Sequence, residues 1–212
     1  MARVTKSNST SQTEAANANA GVGHEIRGVR RAMGMTLAEC AEAASLSVGF
    51  LSLVERGQKQ PSLDALQRIS AALGIEVGWL FPPSPNDDPV ENEYVVRKGF
   101  RRRIDFSRLA GTEYLDHSVY LMSPGIDGQI VMSLMQFSPG GHSGDNPLSH
   151  EGEEVGYVLS GQLTLEVDGH VFVLEEGDSF GFSGDKPHKY INNGENDLQI
   201  VHTNTPVIMK SR

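Results

Sequence analysis

The hydrophobic period of this chain changes once, and the change falls at a proline-rich segment. Up to residue 81 apolar residues recur at helical spacing. Beyond residue 93, short alternating runs are separated by Gly- and Pro-containing turns. Between the two patterns, Pro82, Pro83, Pro85 and Pro89 fall within nine residues. That density blocks a helix and favours an extended connector. The pattern predicts an α + β two-domain chain: a polar, disordered tail over 1–20, an all-α domain over 21–81, a linker over 82–92 and an all-β domain over 93–212.

Charge follows the same division. The chain carries 18 Lys and Arg against 27 Asp and Glu, a net charge of −9. Residues 1–85 hold eight of the basic and seven of the acidic residues, a net of +1, so the whole deficit lies in residues 86–212, which carry −10. A near-neutral head on an acidic body predicts two modules with different partners. The single cysteine, Cys40, excludes a disulfide framework and a Cys-rich zinc site, which places the expected home in a reducing cytoplasm. No run of 18 uncharged apolar residues is present, so no membrane partner is expected. The first twenty residues lack the apolar core of a signal peptide.

In the α half, Ile26, Val29, Arg30 and Met33 form a short stripe that stops at Gly34. Thr36 and Glu39 have the spacing of a capping box for a helix with Leu37, Cys40, Ala41 and Ala44 on one face. Ser45-Leu46 makes a tight turn, Ser47 caps a helix from Val48 to Arg56, and Gly57 ends it. Ser62 opens a further helix with Leu63, Leu66, Ile69 and Leu73 inward, and Leu80-Phe81 complete the core. Two short helices around a tight turn form a helix-turn-helix.

The segment MTLAECAEAASLSVGFLSLVERGQKQPSLDALQRISAALGI resembles the Cro/C1-type (XRE) DNA-binding domain over about sixty residues. One departure is Ser45, where the family usually has Gly; a side chain there must tolerate a left-handed backbone. The resemblance implies that Val48, Gly49 and Ser52 face the major groove of an operator. It makes Thr36, Ser47, Arg56, Gln58 and Lys59 candidates for phosphate contacts, with Gln58 or Lys59 adding specificity. Thr36 and Ser47 also serve as caps, and Arg56 has Glu42 or Glu55 as an alternative partner. A head of this charge binds DNA as a homodimer on paired half-sites.

The β half contains eight or more short strands, a count that fits an antiparallel barrel or jelly roll. HEGEEVGYVLSGQLTLEVDGHVFVLEEGDSFGFSGDKPHKYINN resembles the cupin domain. His150, Glu154 and Gly161 have the spacing of its first motif; Gly177, Pro187-His188 and Asn192 match its second. Leu148 stands where the family carries a further histidine. The resemblance implies that His150, Glu154 and His188 hold a divalent metal (Zn, Fe, Ni or Mn), or that they bind a ligand in a metal-free barrel. A continuous strand would separate residues 150 and 154 by about 13 Å, so shared ligation requires a turn at Gly152. Alternation adds Phe180, Phe182 and Tyr190 to an effector pocket, or to a packed interior. His142 is a substitute ligand or a loop residue. His117, His170 and His202 receive no role. The basic run Arg97 to Arg103 touches DNA, touches the helical domain, or forms a solvated face.

Together the halves resemble XRE–cupin transcription regulators, with SHEGEEVGYVLSG and HTNTP nearest in pattern to the putrescine-utilisation repressors. That resemblance implies a non-enzymatic repressor of double-stranded operator DNA. Its barrel would dimerise and bind an effector, an amine or amino-acid-like metabolite. The competing reading is a metal-dependent cupin dioxygenase or isomerase with an accessory DNA-binding module.

Overall fold

The computed structural model describes residues 9–81, 88–104, 115–126 and 128–205. The main chain passes from a helical unit to a β unit after Phe81. Among the described residues no single helix is long and apolar enough to cross a membrane.

The helical unit contains α1 (Ser9–Ala32), α2 (Leu37–Ala43), α3 (Val48–Glu55) and α4 (Leu63–Ala72), then a 3₁₀ turn at Val77–Leu80. Helix α1 starts earlier than its apolar stripe, because residues 9–20, expected in the tail, continue its backbone. Four alanines in that stretch supply helix propensity without any core pattern. Residues 1–8 of the expected tail lie outside the described residues. The predicted caps are present: the Glu39 amide donates to Thr36 Oγ1 while Glu39 Oε2 accepts from the Thr36 amide at 2.7 Å. Ser47 accepts from Phe50 and Ser62 from Ala65. Ser45 takes φ +53°, the left-handed turn that the missing glycine required.

The core of this unit is Ile26, Val29, Cys40, Ala41, Leu51, Val54, Ile69, Leu73 and Leu80. Two expectations fail here. Leu63 is 64% exposed and Phe81 50% exposed. Leu63 opens the first turn of α4, where the inward face is already taken by Ala65, Leu66 and Ile69. Gly23 lets α1 approach α3 so closely that a Cβ there would lie 2.1 Å from the Val54 carbonyl oxygen.

The expected linker is only partly a linker. Residues 82–87 lie outside the described residues, but Pro89–Tyr94 forms a short helix, α5. Its formation is local: Pro89 sits in the first turn, and Asp88 accepts from the Val90 and Glu91 amides.

The β unit is an antiparallel barrel. Its strands are β1 (Arg103–Ile104), β2 (Leu115–Leu121), β3 (Val131–His142), β4 (Glu153–Ser160), β5 (Leu163–Val167), β6 (His170–Leu174), β7 (Ser179–Ser183), β8 (His188–Ile191) and β9 (Leu198–Thr205). They hydrogen-bond in the order β6-β5-β8-β3-β9-β4-β7, with β2 on β3 and β1 on β2. Strand β3 runs through Pro139-Gly140-Gly141, which the sequence marks as a turn. Gly140 takes φ +82°, and bonds between residues 140–141 and Asn192 carry β3 across to β8 as a bend. Asn192, fully buried, donates to the carbonyls of Phe137 and Asn196, both at 2.9 Å.

The basic run is not one solvated face. Arg102 is buried and donates to the Pro124 carbonyl at 3.2 Å, and Arg97 pairs with Glu91.

Candidate DNA-reading helix and barrel site

Helices α2 and α3 are bent 111° apart across Ala44 to Ser47, within the range for a helix-turn-helix. Leu51 and Val54 bury one face of α3, which leaves Val48 and Gly49 exposed and Ser52 half-buried on the other. Thr36, Ser47, Arg56, Gln58 and Lys59 are exposed as well. Thus the eight predicted contact residues lie at the outer surface or edge of this unit. Ser52 Oγ accepts from Arg56 Nη1, and Arg56 Nε donates to Gln58 Oε1 at 3.3 Å. Lys59 Nζ sits 5.0 Å from the Phe50 ring centroid. Glu55 pairs with Arg30 at 2.7 Å, not with Arg56, so the Arg56 guanidinium stays at the outer face.

Inside the barrel, β4 alternates: Glu154, Gly156 and Val158 are buried while Glu153, Val155, Tyr157 and Leu159 face out. Gly152 takes φ +98° and turns the chain between residues 150 and 154. The His150 amide then bonds the Gly184 carbonyl at 2.8 Å. A Cβ on Gly184 would lie 2.6 Å from His150 Cε1, so that glycine seats the ring. His150 Nε2 comes within 2.5 Å of Glu154 Oε1. His188 enters from β8, with Nε2 at 3.6 Å from the same oxygen.

Ligand atoms of His150, Glu154 and His188 all lie within 4.8 Å of one another. The second nitrogen of each imidazole is tied to a carbonyl: His150 Nδ1 to Glu151 at 2.9 Å, His188 Nδ1 to Lys186 at 2.8 Å. A carbonyl only accepts, so both Nδ1 atoms carry hydrogen and Nε2 is the coordinating atom. His188 Nε2 is buried without a hydrogen-bond partner. Burial, the largest influence, holds the His188 pKa below its ordinary value and favours the neutral ring. For His150 burial acts the same way, but the hydrogen bond to Glu154 and the Glu151 carbonyl outweigh it and raise the pKa.

Glu154 is buried, which alone would keep it protonated. His202, His150 and His188 reverse that and hold its carboxyl well below the usual range. Tyr190 donates its hydroxyl to Glu154 Oε2, and burial next to that carboxylate raises the phenol pKa far above its ordinary value. Phe180, Phe182, His188 and Tyr190 form a chain of rings with centroids 5.0–6.0 Å apart. The six residues predicted for the pocket therefore meet in one interior cluster.

His202 is the residue that sequence reasoning passed over. Its Nε2 lies 3.0 Å from Glu154 Oε2. The one available signal was its parity with Leu198 and Ile200, which marks it as inward but names no partner. His142 stays outside the cluster; it accepts from the Gly144 amide at 3.1 Å. Leu148, at the vacated ligand position, pairs its backbone with His188.

Comparison with known proteins identifies both domains. A helix-turn-helix family model matches residues 26–80 and a cupin domain model matches residues 133–204. The chain joins a helix-turn-helix domain to a cupin domain. This helix-turn-helix–cupin chain is homologous to two transcriptional regulators of Escherichia coli K12. With PuuR it shares 23% identity over 87% of its own length and 94% of that protein's. With SutR it shares 25% identity over 84% and 88%. A crystal structure of an HTH_3 family transcriptional regulator from Vibrio cholerae aligns with 90% of the chain and 98% of that protein at 17% identity, TM-score 0.41.

Proposed function

We propose that this helix-turn-helix–cupin chain is a cytoplasmic, sequence-specific DNA-binding transcriptional repressor that works as a homodimer and reads an effector in its barrel. The DNA assignment rests on α3, whose exposed side presents Val48, Gly49 and Ser52 between the anion-attracting caps of Thr36 and Ser47 and the cations Arg56 and Lys59. Val48 meets a thymine methyl, Ser52 a base edge, and Gln58 and Lys59 the flanking backbone. The acidic barrel is repelled by phosphates, which confines DNA contact to the head. Regulation then requires the effector to favour one dimer geometry over the other.

The effector site is the cluster His150, Glu154, His188, with Phe180, Phe182 and Tyr190 around it. Two imidazole nitrogens aimed at one carboxylate oxygen fit a divalent cation better than an organic amine, which would find Glu154 already engaged. His150, Glu154 and His188 would hold the ion, and its charge would replace the proton on His150 Nε2. The unpartnered, buried His188 Nε2 carries this reading. A bound ion supplies open coordination positions for a small molecule; an amine or amino-acid-like metabolite remains the proposed organic class.

Anisotropy of labelled promoter DNA, with and without Zn, Fe, Ni or Mn, tests both halves. Glu154→Gln abolishes the effector response and leaves effector-free DNA affinity intact. Salt-insensitive or absent binding to promoter DNA overturns the regulator reading. The second reading, a metal-dependent cupin enzyme, is favoured by the same two-imidazole, one-carboxylate set. Near-stoichiometric iron in protein purified without chelators, with turnover of an organic substrate, would establish it.

A further inference from the structure

The two oxygens of Glu154 face different partners. Oε1 looks toward His150 Nε2 at 2.5 Å and His188 Nε2 at 3.6 Å. Oε2 accepts from the Tyr190 hydroxyl and lies 3.0 Å from His202 Nε2. Neither Oε2 partner belongs to the cluster whose ligand atoms converge.

Both are themselves anchored. Ser133 sits directly across the β3–β9 pair from His202, with its Oγ 3.4 Å from His202 Nδ1. The β4–β9 register sets His202 opposite Gly156, one inward position along from Glu154. Tyr190, 1% exposed, is held at its backbone by Ser143 Oγ at 3.0 Å, and its ring meets Phe180 at a tilt and His202 edge-on.

We propose that His202 and Tyr190 are positioning residues that occupy Glu154 Oε2 and present Oε1 alone to a divalent cation between His150 and His188. The inference rests on the cation reading of the barrel site. A carboxylate free to rotate offers one oxygen or two, and part of the binding free energy is lost in fixing it. The hydrogen bond from the Tyr190 phenol to Oε2, with His202 Nε2 packed 3.0 Å from the same oxygen, removes that freedom before the ion arrives. Outer partners of this kind typically contribute about 10–100-fold in metal affinity.

The test is a Co(II) titration of the full chain followed by visible absorption, in wild type, Tyr190→Phe, His202→Phe and His202→Gln. Tyr190→Phe and His202→Phe should each bind Co(II) about 10–100-fold more weakly, with a changed absorption band. His202→Gln keeps an N–H donor and should stay within a few-fold of wild type. Either Phe variant carries the test if the other does not fold. Wild-type affinity and an unchanged band in a folded Phe variant overturn the positioning role while the cation site stands. Folded wild type that binds no Co(II) overturns the cation reading and this inference with it.

Discussion

Arg30 of α1 and Glu55 of α3 form a two-pronged ion pair, Nε to Oε1 at 2.7 Å and Nη2 to Oε2 at 3.0 Å, with Arg30 Nη1 also donating to the Met35 carbonyl. Their side chains are only 11% and 7% exposed. The pair joins the helix that precedes the helix-turn-helix to the C-terminal end of α3. Removing Arg30 strands a buried carboxylate, and truncating one member of such a pair costs about 3 kcal/mol. Arg30→Ala should lower urea resistance of the helical unit by that amount, followed through Trp79, the chain's one tryptophan. A loss below about 0.5 kcal/mol would show that the pair is no better than an exposed one.

DNA affinity should respond to α3 and its flank without a stability change. Ser52→Ala with Lys59→Ala removes one base-edge hydroxyl and one phosphate-range charge. Promoter affinity should fall at least about tenfold and the salt slope by about 1. Unchanged anisotropy curves would move the reading surface away from α3.

Ser45 occupies the left-handed region at φ +53° in the turn between α2 and α3. A glycine there removes the steric cost of a Cβ, less the entropy that glycine adds to the unfolded chain. Ser45→Gly should stabilise the helical unit by about 0.5–1 kcal/mol, read by urea unfolding. A destabilised variant would mean that the serine side chain compensates for its backbone.

Gly156 faces inward on β4, and a Cβ there would lie 2.1 Å from Phe180 Cζ. Gly156→Ala should destabilise the barrel by about 1–3 kcal/mol through overpacking. Phe180→Leu in the same chain should recover part of that loss, since the two residues share one space. Strict additivity in a double-mutant cycle would refute the contact.

Cys40 is fully buried, and burial first, then Glu55, pushes its thiol up to about 11. Thiol reagents at pH 8 should label it only on unfolding. Because the folded pKa lies above the unfolded one, its contribution is complete below the unfolded value. It is lost as pH rises toward about 11. Stability of the helical unit should therefore fall across that alkaline range, and Cys40→Ala should flatten the fall.

Local signals were reliable wherever the causes were local. Thr36-Glu39, Ser47 and Ser62 cap their helices because a cap needs only the next three residues. Gly34, Gly57 and Gly74 end theirs with positive φ. Glu154, Gly156 and Val158 point inward because a strand alternates. The misjudged positions depended on something else. Leu63 has the spacing of a core residue but lies at the end of a helix whose inner face is already filled. Pro89 counts as a breaker within α5's sequence yet serves as its opening residue.

The sequence by itself determined the two-domain division, the helix-turn-helix with its caps and the inward parity of strand β4, while its cupin resemblance implied a shared site for His150, Glu154 and His188. Each follows from residue type at short spacing, or from motifs that carry their spacing with them. Only the tertiary structure decided that Arg30 meets Glu55 across 25 positions, and that His202 reaches the far oxygen of Glu154 from β9. Periodicity states which face a side chain occupies. The strand register and the helix packing that choose its neighbour on that face are properties of the folded chain as a whole.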